Sequence, residues 1–137
     1  MGFTQSFTLD LLMSVHDFSY DQIRVALYTG DANIDDTTTE YTTDNEIVGV
    51  GYTAGGENMY VSAGYPKLDP DRGAVRFEEV VWQAPSTFTY RKALVYNATK
   101  GNRSILVIDY GTDRGPLNST HRLFTPLSSP PLILIGR

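Results

Sequence analysis

Cysteine is absent from the whole chain. That excludes a disulfide framework, a thiolate nucleophile and any zinc site built on sulfur. The fold must stand on its own packing, or on packing against neighbours. Basic clusters are missing too. Eleven Lys and Arg stand against sixteen Asp and Glu, a net charge of −5, and a field of that sign disfavours a phosphate backbone. No nucleic-acid partner is expected. No stretch approaches the roughly eighteen apolar residues that a membrane span needs. The opening Met1-Gly2-Phe3-Thr4-Gln5-Ser6 has neither the basic start nor the apolar core of a secretion signal. The expectation is a soluble protein made in a cytosol, with no membrane partner.

Groups that carry reactions are equally sparse. The only histidines, His16 and His121, lie near opposite ends of the chain, each beside a turn. No Gly-x-Ser-x-Gly elbow is present to activate a nucleophile. Asp31-Ala32-Asn33-Ile34-Asp35-Asp36 has the one-three-five oxygen spacing that opens a calcium loop. Its sixth position holds Asp36 instead of Gly and its twelfth holds Thr42 instead of Glu, so it reads as an acidic solvated loop, with an adventitious surface cation as the competing reading. Glu78 and Glu79 are neighbours on an extended segment and point to opposite faces. Gly49-x-Gly51-x-x-Ala54 fits the loose dinucleotide fingerprint. That fingerprint needs a helix directly after it, and Glu57-Asn58-Met59-Tyr60-Val61 has no helical period. Asn97-Ala98-Thr99, Asn102-Arg103-Ser104 and Asn118-Ser119-Thr120 match the glycosylation triplet but read as turns. No catalytic residue, cofactor or metal is assigned, and a non-enzymatic role is expected.

What is abundant is β-forming residues. Nine Tyr, six Phe and one Trp, with many Thr and Val, tilt the chain toward strands. Phe3, Phe7, Leu11, Leu12 and Val15 fall at helical spacings, and Thr4 or Ser6 could cap the start. The spacing predicts one amphipathic helix over 3–16, with a β-arm as its competitor. Its apolar stripe either covers one end of the core or docks on a neighbouring subunit. Segment 22–29 alternates, with Ile23, Val25 and Leu27 on one face and Arg24, Ala26 and Tyr28 on the other, as a half-buried antiparallel strand does. A polar excursion over 30–44 follows, with a short extended piece near Tyr41. A strand over 46–50 then breaks into Gly49, Gly51, Gly55 and Gly56, which mark a bulge, a sharp corner or a tight contact.

Further strands are expected at 58–63, at 74–78 and 80–82, either separate or one strand kinked at Glu79, and along the longest β-type run, 87–97. Gln83-Ala84-Pro85-Ser86 is expected to turn the chain, and Trp82 to anchor the core. A hairpin over 97–102 leads into 104–110, an apolar strand covered on both faces. A polar loop at 111–120 precedes strands at 121–125 and 132–135. These signals predict an all-β antiparallel sandwich or jelly-roll-like fold with one short N-terminal amphipathic helix. Residues 1–18 form the helix or arm and 19–137 a single domain.

Several of these pieces, in order, resemble a family of small virion proteins of tailed bacteriophages. The likeness rests on Ser14-Val15-His16-Asp17-Phe18, Arg24-Val25-Ala26-Leu27-Tyr28-Thr29 and Thr38-Thr39-Glu40-Tyr41-Thr42. It continues through Glu46-Ile47-Val48-Gly49-Val50-Gly51-Tyr52-Thr53-Ala54-Gly55-Gly56, then Val81-Trp82, Ala93-Leu94-Val95-Tyr96-Asn97 and Asp109-Tyr110-Gly111. Ser14 stands where the family tends to have Gly, and Ile47 where it has Val. The resemblance implies a cement or decoration protein on the outer capsid surface, made in the bacterial host cytoplasm. Its implied partners are the major capsid protein and further copies of itself, as a homo-oligomer such as a trimer. A tail, connector or head-fibre component is the alternative. A non-virion binding module or carbohydrate-active domain would instead be favoured by a concave aromatic cleft with convergent carboxylates. Interface candidates are Phe3, Phe7, Leu11, Leu12, Val15, Tyr41 and Tyr52, because Tyr buries area while keeping a polar handle. On this reading the N-terminal helix and the loop at 30–45 touch neighbours. Deleting 1–15 is then expected to leave a folded sandwich that no longer attaches to heads.

Overall fold

The computed structural model describes residues 2–68 and 72–123 and the strand at 132–135. Three runs rich in Val, Ile, Leu and Tyr pair to form its centre: β2 (Ile23–Tyr28), β7 (Tyr90–Asn97) and β8 (Arg103–Arg114). β2 and β7 are antiparallel in unbroken register from Ile23 opposite Asn97 to Tyr28 opposite Lys92. β7 and β8 form a hairpin. The buried Asn97 shapes its turn, accepting from the backbone N–H of Thr99 at 3.0 Å and of Lys100 at 3.1 Å. Two short strands extend this sheet. β1 (Gly2–Phe3) pairs outside β8, and β3 (Glu57–Met59) pairs outside β2, giving the order β1-β8-β7-β2-β3.

The second layer is made of smaller pieces. β4 (Lys67–Leu68), β5 (Gly73–Val75) and β10 (Leu132–Ile135) form one three-stranded sheet, and β6 (Val80–Ser86) pairs with β9 (Ser119–Leu123). Ile23, Val25, Leu27, Ala93, Val95, Ile105 and Ile108 from the large sheet share one buried cluster with Val75, Phe77, Val80, Trp82 and Leu123 from the second layer. Every named pairing is antiparallel. The architecture is therefore the expected all-β, sandwich-like one, with a single short helix among the described residues, and Trp82 lies in its core.

Several local expectations are corrected. β2 is buried on both faces. Ala26 and Tyr28 lie in a second cluster with Leu94, Tyr96 and Val107, roofed by Ala32, Ile34 and Tyr41. The excursion over 30–45 folds back across the outer face of the sheet and supplies the cover that alternation alone does not reveal. Segment 46–50 is not a strand. Glu46 bridges Tyr28 and Val50 bridges Thr87, so the segment passes from one partner to another with none running alongside it. The strand expected over 58–63 ends at Met59, leaving Val61 as an isolated bridge to Phe77. Likewise, 83–86 does not turn the chain: β6 runs through it, with a shifted register between Trp82 and Ser86. Proline lacks a donor, and an irregular stretch of ladder tolerates it. The loop expected over 111–120 shortens because β8 reaches Arg114 and β9 begins at Ser119. The end of the strand expected at 121–125 lies outside the described residues.

The N-terminal segment combines both of its competing readings. Phe3 pairs as a strand residue opposite Leu106, and α1 (Gln5–Leu12) follows, capped by Thr4, whose hydroxyl accepts from Phe7 N. Its inward face carries Phe7, which is 1% exposed, and Asp10. Arg103 on β8 grips Asp10 through Nε at 2.6 Å and Nη2 at 2.9 Å. Thr4 N donates to Ile105 O at 3.0 Å. The start of the chain is therefore integral to the sheet and is not a separable arm, which reverses the expectation that deleting 1–15 leaves the sandwich folded. Phe7→Ala is expected to lower unfolding stability by about 3–5 kcal/mol, the usual cost of emptying a phenylalanine site. Denaturant titration checks it, and a loss below about 1 kcal/mol would mean that the helix is not packed as described.

Candidate functional site

The glycine corner is built around one carboxylate. Glu46 lies opposite Tyr28 at the end of β2, and Ile47 N donates to Leu27 O at 3.0 Å, which fixes the backbone there. The Glu46 side chain takes three donors: Tyr41 OH on Oε1 at 2.6 Å, and Tyr52 OH and Gly55 N on Oε2 at 2.5 and 2.8 Å. The Tyr52 hydroxyl in turn accepts from Leu27 N at 2.9 Å. Tyr96 OH donates to Gly55 O at 2.6 Å, and Arg24 Nη2 donates to Gly56 O at 2.6 Å. Gly56 has φ +80°, and a Cβ there would run into the carbonyl of Val25. Only glycine lets the corner lie this close to β2. Burial first, and Glu46 second, raise the ionisation of Tyr41 and Tyr52 well above the ordinary phenol value. The network therefore orders a loop.

What this fixed corner presents is apolar. Val48 is 95% exposed and Val50 63%, although Ile47 beside them is buried. Gly49, between the two valines, sits against Phe88 and the carbonyl of Thr87 with no space for a Cβ. Thr87 N donates to Val50 O at 2.9 Å, and Phe88 N donates to Pro116 O at 3.3 Å. Consecutive N–H groups of extended backbone point to opposite sides, so Val50 and 116–118 flank Thr87 and Phe88 from either side. Leu117, 82% exposed, belongs to that second flank. A separate apolar group, Leu9, Leu12 and Met13, stands exposed on and just after α1.

The residues expected at an interface are distributed unevenly. Phe3 stacks on Phe7 with ring centroids 5.2 Å apart, and both turn inward. Leu11 and Val15 are half-buried, while Leu12 faces solvent. Tyr41 and Tyr52 are brought together by Glu46, and Tyr41 also stacks on Tyr96 at 4.8 Å. Of the corner glycines, Gly51, Gly55 and Gly56 have positive φ. Sequence reasoning did not single out Val48, Val50 or Leu117, since a β-branched residue between glycines reads as a strand. In the acidic loop, Asp35 accepts from Thr37 N at 2.8 Å and Thr37 Oγ1 at 2.6 Å, and these bonds hold its carboxyl below the ordinary value. Among the described residues, no group of three or more His, Asp or Glu is placed to hold a metal. No helix of the described residues is long and apolar enough to cross a membrane. No family model, curated protein or solved structure matches the chain.

Both histidines are structural joints. His16 Nδ1 lies 3.0 Å from Asn97 Nδ2, and its Nε2 lies 3.6 Å from Asp10. His121 Nε2 lies 2.7 Å from Tyr90 OH. Desolvation by burial lowers the protonation of both below the ordinary 6.5. As pH falls, the unfolded chain therefore takes up protons first. The stability contributed by the neutral rings is complete above about pH 6.5 and drains away as pH drops through the folded values. The melting temperature is expected to fall between about pH 7 and pH 5, and His16→Asn with His121→Asn to flatten that slope. A slope unchanged in the double variant would assign it to other groups. At the corner, Glu46→Ala is expected to cost roughly 1–3 kcal/mol, because it strands part-buried phenol and amide donors. Denaturant titration checks this, and a neutral effect would deny Glu46 its anchoring role.

Proposed function

We propose that this chain is a non-enzymatic virion structural protein, a capsid cement protein that binds the outer shell of a phage head. The observation that carries this reading is the corner: Val48, Val50 and Leu117 stand exposed on backbone that hydrogen bonds and glycine contacts hold fixed. Exposed apolar side chains on a rigid support cost little ordering entropy when a partner covers them. Exposed apolar side chains on ordered backbone are the material from which an interaction surface is made. The resemblance of the sequence to small virion proteins of tailed phages supplies the identity of that partner, the major capsid protein. In a repeated lattice many modest contacts act together, so each copy needs only a small apolar foothold.

Two measurements test the proposal. In purified particles, the copy number relative to the major shell protein is expected to be near one or a simple fraction of one. A ratio about ten times smaller, the mark of a tail or connector part, would overturn the cement assignment. Val48→Asp combined with Leu117→Asp is expected to weaken attachment to heads at least about tenfold, roughly 1.4 kcal/mol, with melting temperature unchanged. Unaltered attachment would remove the corner from the interface.

A further inference from the structure

On another part of the molecule, the turn between α1 and β2 and the segment after β3 enclose an open groove of about 470 Å³. Small-molecule sites occupy roughly 300–1,000 Å³. Its lining includes Tyr20, Gln22, Asn58, Tyr60, Ser62 and Tyr65. Tyr20 is 88% exposed and Tyr60 66%. The register that sets Ile23 opposite Met59 and Arg24 opposite Asn58 brings Gln22 beside Asn58, and Gln22 Nε2 donates to Asn58 Oδ1 at 2.6 Å. Arg24 Nη1 donates to the same oxygen at 2.8 Å, which fixes the Asn58 amide. Two planar amides are thus held at one side of a groove with exposed phenol rings.

The charge and bonding state of the lining narrows the ligand. Asp21, the carboxylate in the lining, is already taken by Asn97 Nδ2 at 2.7 Å, Asp17 N at 2.8 Å and Lys100 Nζ at 3.2 Å. An anionic or cationic ligand finds no free counter-charge there. Phe18 and Met59 in the lining are buried, so no large aliphatic side chain stands open as a protein anchor would. Hydrogen-bonding capacity is left over instead. Gln22 Oε1 accepts no bond among the described residues, and Tyr60 OH, which is 3.4 Å from Asn58 Nδ2, keeps its proton to donate.

We propose that this groove binds a neutral glycan, a sugar unit laid against the phenol rings of Tyr20 and Tyr60 while Gln22 and Asn58 bond its hydroxyls. Neutral amides, hydroxyls and exposed aromatic faces match a polyhydroxylated ligand whose ring carries apolar C–H faces. The site is independent of the capsid reading, since it shares no residue with the Val48, Val50 and Leu117 surface.

The test is a titration of the full chain with maltose, lactose, cellobiose and N,N′-diacetylchitobiose, each to about 20 mM to cover millimolar affinities, followed by amide NMR. At least one sugar is expected to shift signals from 19–22 and 58–64. Tyr20→Ala with Tyr60→Ala is expected to raise its Kd at least about tenfold while leaving the melting temperature unchanged, both side chains being exposed. No shift at these positions with any of the four sugars would overturn the proposal. So would shifts that survive the double tyrosine variant, or shifts that follow protein concentration without sugar, which would make the groove a contact between copies.

Discussion

A single carboxylate sets the surface of this molecule. Glu46 receives two phenols and a backbone amide, and through them the Tyr41 stretch, Tyr52 and the glycine corner are tied to the edge of β2. Without that anchor, a segment with four glycines between 49 and 56 would have far more backbone freedom than the fold could restrict by packing alone. With it, the corner can leave valines in water. The same network closes one side of the roof over Ala26, Tyr28 and Tyr96, so burial of the outer sheet face and order in the corner depend on each other.

A second joint works at the opposite end of the sheet. Asp10, His16, Asn97 and Asp21 come from the helix, the following turn and the β7–β8 hairpin, and meet with Arg103 and Lys100 around them. Buried polar groups are tolerated here because almost all are bonded. The two joints divide the task, one fixing the N-terminal helix and the other the long loop.

The fold class was legible because β-branched and aromatic runs separated by turn residues leave few alternatives to an antiparallel sandwich. β2 and the β7–β8 hairpin were recognisable for that reason. What alternation could not reveal was cover supplied from a distance. Ala26 and Tyr28 looked solvent-facing, because the residues that bury them, Ala32, Ile34 and Tyr41, lie in a polar stretch that reads as a loop. Segment 46–50 carried strand chemistry but lacked a continuous partner, and pairing is a property of two segments, not one. The Phe3 and Phe7 stripe was visible, yet the same spacing serves a core and a docking face. Only Asp10, gripped by Arg103 from ninety-three positions away, decides between them. The site was less legible still. Val48, Val50 and Leu117 matter through exposure, and the groove between 19–22 and 58–65 unites segments whose nearness follows from register alone.

That joining of distant segments also governs how the chain is made. Phe3 pairs opposite Leu106, Thr4 bonds Ile105, and Asp10 waits for Arg103. None of these partners exists until about a hundred further residues have been synthesised. At roughly 5–20 residues per second, the nascent chain carries Phe3 without its partner strand for about 5–20 seconds. The β1 edge of the large sheet thus leaves the ribosome well before the strand it pairs with, and is among the last pieces to find its place.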